Sequence, residues 1–322
     1  MSADRIAVLG LGSIGLRHAR NALALGLEAV GFDPDPTRRA LLEAAGGKAV
    51  ADRDQALEGA FAAVVATPSE LHKSDLERCV NARAHVLVEK PLAHTLDGLQ
   101  PLLDAARADG VLVAAGFNLR FRAAVVAARA LLAAGRLGRP VWGHFISASW
   151  LPHWRPHQDY RQGYANNPRT GGVIFDAIHE LDLANHLLGP ATVAAAHAAN
   201  TGLLGLESED IADIGLAHSS GARSTVHLDY VTRPRRRRFE ICGTEGLMTV
   251  DLRAGVVEIR DHADDVVLRE VHDLGFDREY QLELADFVAA ARGGFAPACD
   301  GGEALAVLAQ AVAARRLSGL PE

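Results

Sequence analysis

The residues best placed to do chemistry stand where apolar runs stop. In "HVLVEKPLAHTL", residues 85–96, an apolar run gives way to Glu89-Lys90-Pro91. A lysine at the mouth of a buried strand is a cation fixed against a low-dielectric wall. Such a group can stabilise a forming alkoxide. With its pKa lowered by desolvation and a neighbouring cation, it can also relay a proton. Near the start, "VLGLGSIGL" sets Gly10, Gly12 and Gly15 as G-x-G-x-x-G between a short apolar run and a helical pattern. Asp33 ends the next apolar run, 23 residues after Gly10. That spacing fits a dinucleotide site. Gly10 makes the tight turn, Gly12 admits the pyrophosphate, Gly15 allows close helix packing, and the acid meets the ribose hydroxyls. The plain alternative for Asp33 is a turn or helix cap before "PDPTRR", where Arg38 and Arg39 are close enough to soften rejection of a 2′-phosphate.

These residues need an open sheet to hold them. Apolar runs at Arg5–Leu9, Glu28–Phe32, before Thr67-Pro68-Ser69, at 84–88 and at 111–117 alternate with helical patterns. That order implies a doubly wound parallel sheet, whose ligands bind at the carboxyl ends of the strands. Gly10, Asp33, Thr67 and Lys90 all fall at such ends, so one crevice should collect them. From about Ala123 the pattern changes. A strand-like "RPVWGHFISASW" leads into a long polar and aromatic loop, "LPHWRPHQDYRQGYANNPRT". Loops of that size are often functional. Trp154, Arg155, Asp159, Tyr160 and Arg161 offer stacking and hydrogen bonds to a hydroxyl-rich ligand, or alternatively pack at a subunit contact.

Residues Gly172 to Leu188 read as one helix with Ile174, Ile178, Leu181 and Leu188 as its apolar stripe. Asp176, His179 and Glu180 lie off that stripe. A helical histidine taken alone is ordinarily a packing or surface residue, and Asp182 and His186 are read as structural. Strand-like runs follow at 193–199, 211–217, 222–230, 238–241, 247–252 and 256–260, and two amphipathic helices close the chain. The fold class is therefore α/β: a Rossmann domain over residues 1–122, then an α/β domain with a large sheet over 123–322.

The 322 residues, 49% hydrophobic, suffice for two cores, and the formal charge of −7 argues against a nucleic-acid footprint. The run Arg235 to Arg238 reads as a solvated strand entry or oligomer contact, or else an anion-binding edge. Cys79, Cys242 and Cys299 are too far apart for a zinc site or a disulfide framework, so no metal is expected. No apolar run is long enough for a bilayer, and a reducing cytoplasm is expected.

Taken in order, "GLGSIGLRH", "ATPSELH", "EKPLA", "GFNLRF", "TGGVIFDAIHELDLANHLLG" and "FEICGTEGLMTVD" resemble the Gfo/Idh/MocA family of nicotinamide-dependent oxidoreductases. The resemblance implies a Rossmann domain and a second domain with a mainly antiparallel sheet. It also implies cofactor contacts from Gly10, Gly12, Ser13, Ile14, Gly15, Asp33, Thr67, Pro68, His72, Glu89 and Lys90. Lys90 and His179 are implied as catalytic, with His179 the general base. Asp176 joins them, although it precedes His179 by three residues where most relatives have four. Asn118 and Arg120, with Trp154, Arg155 and Tyr160 of the loop, are the expected substrate contacts. The expected cofactor is NAD in preference to NADP. The expected substrate is a sugar, polyol or sugar-nucleotide oxidised or reduced at a secondary alcohol or carbonyl. The variant spacing resembles a subgroup linked to nonulosonate and surface-sugar pathways. The open face of the second sheet should bury itself in a homodimer or homotetramer. An NAD-dependent glycoside hydrolase and a non-catalytic cofactor-sensing regulator are the alternatives.

Overall fold

The computed structural model describes residues 4–154 and 156–321, Phe276 by its backbone alone. Arg155, an expected substrate contact, lies outside the described residues. The chain forms two compact units.

The first unit comprises residues 4–118 and 277–308. Its elements are β1 (Arg5–Leu9), α1 (Ser13–Ala24), β2 (Glu28–Phe32), α2 (Pro36–Ala44), β3 (Lys48–Val50), α3 (Arg53–Leu57), β4 (Ala62–Val65), α4 (His72–Asn81), β5 (His85–Glu89), α5 (Leu99–Ala108) and β6 (Val113–Gly116). The six strands run in the order β3-β2-β1-β4-β5-β6, every pair parallel. The order reverses between β1 and β4, which makes their carboxyl ends the ligand crevice of such a sheet. Ile6, Val8, Leu16, Val64 and Leu87 form its core with Leu284, Phe287 and Val288. Those last three come from a helix far along the chain. The sequence assigned everything after 122 to the second domain, whereas residues 277–308 return to the first. An amphipathic stripe tells that a face is buried, not against what.

The second unit comprises residues 119–276 and 309–321. It holds α6 (Ala123–Ala133), β7 (Pro140–Ala148), α7 (Val173–Asp176), α8 (His179–Leu188), β8 (Ala191–Ala199), β9 (Ile211–His218), β10 (Arg223–Asp229), β11 (Arg236–Gly243), β12 (Leu247–Asp251), β13 (Val256–Arg260) and β14 (Val266–Val271). The chain ends with α9 (Phe276–Ala291) and α10 (Gly301–Leu317). Eight strands in the order β14-β13-β12-β11-β7-β10-β9-β8 are antiparallel except for β7 beside β10. Alternation is clean: Val226, Leu228, Phe239, Ile241, Met248 and Val250 are buried on one face. Trp142, Thr225, His227, Arg238 and Glu240 occupy the other. The expected strands are present, with β14 an addition the sequence reading missed.

On that second face His227 bridges two carboxylates, with Nδ1 at 2.7 Å from Asp213 and Nε2 at 3.0 Å from Asp229. The bond to Asp229, aided by Asp213 and opposed by partial burial, raises its pKa to about 9. A raised histidine stabilises the fold fully below its unfolded pKa of about 6.5, and that contribution is lost as pH rises through the folded value. Melting temperature should therefore drop between about pH 6.5 and 9 more steeply in the parent than in His227→Gln. Parallel curves for the two proteins would refute this.

Candidate functional site

The residues expected to hold the cofactor all belong to the first unit. Gly10 has φ +88°, and a Cβ there would meet the backbone of Ala66 and Thr67 at 2.6–2.7 Å. Only glycine fits such a turn. Gly12 caps α1 without a side-chain bond, and a Cβ on it would enter open space. That open space before the amides of a 12-residue helix is where a pyrophosphate fits. Ser13 and Ile14 form the helix's first turn, with Ile14 only partly buried.

Asp33 is buried at 2% exposure. Its two oxygens accept from the amides of Leu11 at 2.8 Å and Asp35 at 2.9 Å. It therefore ties the glycine turn to the end of β2, and carboxylate lone pairs remain for ribose hydroxyls. It does not cap α2; Asp35 does, accepting from Thr37 at 2.8 Å. Arg38 approaches Asp33 at 3.4 Å and Asp35 at 3.7 Å, while Arg39 donates to the carbonyls of Asp33 and Pro34. Both arginines are thus engaged where a 2′-phosphate would need them. NADH should bind at least about tenfold tighter than NADPH, or about 1.4 kcal/mol. Fluorescence titration with each dinucleotide checks this, and equal affinities would refute it.

His72 joins two further strand ends. Its ring contacts the carbonyls of Pro91 at 2.7 Å and Thr67 at 2.9 Å, and burial pulls its pKa down. Thr67 donates to buried Asp75 at 2.8 Å. Pro68 precedes the single turn that opens α4. Lys90 follows β5 directly and is followed by a cis peptide to Pro91. Its amide donates to Glu89 Oε2 at 3.3 Å. Glu89 Oε1 lies 2.9 Å from Nε2 of His18, a fully buried residue one turn beyond the glycines. Glu283 of α9 stands 4.0 Å from the same nitrogen, and Tyr280 meets the His18 ring edge-on. His18, Glu89 and Glu283 hold ligand atoms within 4.8 Å of one another. The short contact is a hydrogen bond, and we read the group as a brace for Glu89. Sequence reasoning missed this brace; its signal was the histidine closing "GLGSIGLRH".

In the second unit the predicted single helix is two. Its turns stop at Asp176, Ala177 adopts φ −96°, ψ 27°, and helix resumes at His179. Bonds to a distant residue fix the start of the first of the two helices. Gly172 has φ +88°, and the amides of Val173 and Ile174 donate to the backbone and side chain of Glu209 at 3.1 and 3.3 Å. Glu209 is paired at 2.8 Å with the buried Arg315.

The break aims Asp176 at two phenols. Tyr164 donates at 2.7 Å to one oxygen and Tyr230 at 2.9 Å to the other. Burial, then the charge of Asp176, pushes the Tyr230 pKa up, so it remains a neutral donor. Neither tyrosine stood out in the sequence. Trp154 packs edge-on against Tyr230 and donates to Ser149 at 2.8 Å, with 40% of its surface exposed. His179 is buried to 9% at the start of α8. Its neighbour Glu180 accepts both bonds of Arg237, at 2.7 and 3.2 Å. His186 is held neutral, its pKa lowered to about 3 by burial and by Arg120 and Arg129.

Three of the expected substrate contacts also bond to protein groups. Arg120 is bound to Asp182, as close as 2.6 Å, with both side chains buried. Asn118 donates to Glu279 at 3.0 Å, and Tyr160 donates to the Leu204 carbonyl at 3.0 Å. A buried partner far along the chain accounts for each, and spacing alone does not reveal such partners.

Comparison with known proteins bears on the family and the fold. A model of an oxidoreductase family with an NAD-binding Rossmann fold (GFO/IDH/MocA) matches residues 5–117. The GFO/IDH/MocA C-terminal domain matches residues 125–249. The chain is 33% identical to 1,5-anhydro-D-fructose reductase of Ensifer adhaerens over 263 residues, covering 78% of this chain and 75% of that protein. It is 27% identical over 221 residues to 2,7-anhydro-N-acetylneuraminate hydratase of Escherichia coli strain K12, covering 67% and 58%. Levoglucosan dehydrogenase, solved with NADH and levoglucosan, shares the fold with a TM-score of 0.87 over 99% of this chain and 97% of that one, at 18% identity.

Proposed function

Since this chain belongs to the Gfo/Idh/MocA family of NAD-binding oxidoreductases, we propose that it transfers a hydride between NAD and a secondary alcohol or carbonyl of a sugar or polyol. The observation that carries the reading is the braced Glu89-Lys90-Pro91 turn at the carboxyl end of β5. Bound NAD supplies the hydride acceptor. Lys90 holds the charge that develops on the substrate oxygen, at a point fixed by His18 and His72 on either side. His179 takes the hydroxyl proton, an imidazole being the common general base of such chemistry. Asp176, held by two phenols, is a fixed anion that orients a substrate hydroxyl or a protonated partner. Trp154 offers an exposed ring edge to the sugar.

Production of NADH from NAD with 1,5-anhydro-D-glucitol and 1,5-anhydro-D-mannitol (the two epimeric alcohols of 1,5-anhydro-D-fructose), levoglucosan and 2,7-anhydro-N-acetylneuraminate tests the reading. Accumulation of NADH with an oxidised sugar supports it. Release of an aglycone from a glycoside without net NADH would replace it with redox-assisted hydrolysis, and absence of NAD binding would defeat it. No helix among the described residues is long and apolar enough to cross a membrane. The cysteines are unpaired, with Cys79 and Cys299 buried, which fits a reducing cytoplasm. Copies of the chain meet, on this reading, through the open sheet face around Trp142, which is 39% exposed. Trp142→Glu should then lower the mass seen by light scattering.

A further inference from the structure

Four arginines of the second unit gather where β11 begins. Arg237 is bound to Glu180. Arg253, in the turn after β12, donates to the Arg235 carbonyl at 2.7 Å. Arg122, just before α6, donates to the neighbouring Leu252 carbonyl at 3.2 Å. The Leu252 amide in turn bonds the Arg237 carbonyl at 3.0 Å. Arg235 and Arg253 are exposed residues. Partial burial and then the charges of Arg237, Arg253 and Arg122 lower the Arg235 pKa, against the pull of Glu180. Asp251, next along the chain, accepts the amides of Arg253 and Ala254 at 2.8 and 3.0 Å. It pairs in register with Arg238, which puts it on the open face of the sheet.

Arg237, Arg253 and Arg122 each act as a like charge on Arg235, and that repulsion opposes the bonds that hold the group together. An arriving anion reverses that sign, because several guanidiniums then share one partner through charge-assisted bonds. The position is informative as well. Strand alternation puts Arg237 on the same sheet face as buried Phe239 and Ile241, and Arg235 immediately precedes the strand. Glu180, which Arg237 grips, follows His179 in α8.

We propose that Arg235, Arg253 and Arg122 receive an anionic substituent of the substrate, a carboxylate or a phosphate, so that the substrate class is an acidic sugar oriented by its charge relative to His179. Arg237 is a positioning residue that links this receptor to α8 through Glu180. The proposal deepens the oxidoreductase reading and rests on it.

Calorimetric titration of the full chain, saturated with NADH in about 0.15 M NaCl to screen diffuse attraction, tests it. The probes are D-glucuronate, D-glucose 6-phosphate and the neutral methyl glucoside. At least one acid should bind about tenfold or more tighter than the neutral sugar. Which acid does so separates carboxylate from phosphate. The variant Arg235→Ala/Arg253→Ala, altered only at exposed positions, should lose about tenfold or more of that affinity while NADH affinity stays within about twofold. The proposal is overturned if neither acid binds, if the neutral sugar binds equally, if the double variant keeps the affinity, or if the acid displaces NADH. Lys90→Met, titrated in parallel, should bind the acid normally. If it also turned over normally, the catalytic reading would fail while the anion receptor stood.

Discussion

Replacing Lys90 by methionine is expected to slow hydride transfer by about a hundredfold or more, the scale of losing one preorganised electrostatic group. Methionine keeps the length and apolar stem of the side chain and removes only the charge. The turn that carries it should survive. Its shape is set by the Lys90 amide on Glu89, by His18 on Glu89 and by His72 on the Pro91 carbonyl, none of which uses the lysine side chain. NADH should bind within about twofold of the parent, because the glycine turn and Asp33 are held by their own bonds. Lys90→Arg should rescue poorly, since a planar guanidinium that is always protonated cannot relay a proton. Single-turnover absorbance separates the chemical step from product release. Parent-like single turnover in Lys90→Met would reduce this lysine to a surface charge.

The same turn shows what the sequence makes legible. Gly10, Asp33, Thr67 and Lys90 were placed by one rule, that apolar runs alternating with helices form a parallel sheet with ligands at its carboxyl ends. The rule works because each residue is fixed by its own strand. Bonds across many residues are different. Nothing in "GLGSIGLRH" tells that His18 will reach Glu89, and nothing in the "YQLELADFVAAA" stripe tells that it will cover the first sheet. The Asp176–His179 segment had a helical pattern, and the pattern was right on both sides of a break. The start of its first half is held by Glu209, more than thirty residues away in sequence and itself paired with Arg315. Tyr164 and Tyr230 are illegible for a related reason. A phenol in a loop and another at the end of an apolar run are ordinary until a carboxylate is seen between them.

Arg120 has two readings that one experiment separates. Within "GFNLRF" it reads as a hand for a substrate hydroxyl, yet its guanidinium lies against Asp182 with neither side chain more than 3% exposed. Removing one member of such a pair leaves a buried charge without compensation, which typically costs about 3–5 kcal/mol. Arg120→Met should therefore melt far below the parent and express poorly, with NADH affinity of the remaining folded protein unchanged. Removing both charges is a different experiment. Arg120→Met/Asp182→Leu replaces the pair by apolar groups and should recover most of the loss, because the desolvation penalty goes with the charges. A substrate contact predicts the opposite pattern: normal melting for Arg120→Met, a raised KM, and no rescue by the second substitution. Asp182 sits in α8 three residues after His179, so the pair also sets how that helix is seated. Calorimetric melting of the two single variants and the double variant closes the cycle, and a coupling energy near zero would return Arg120 to the substrate.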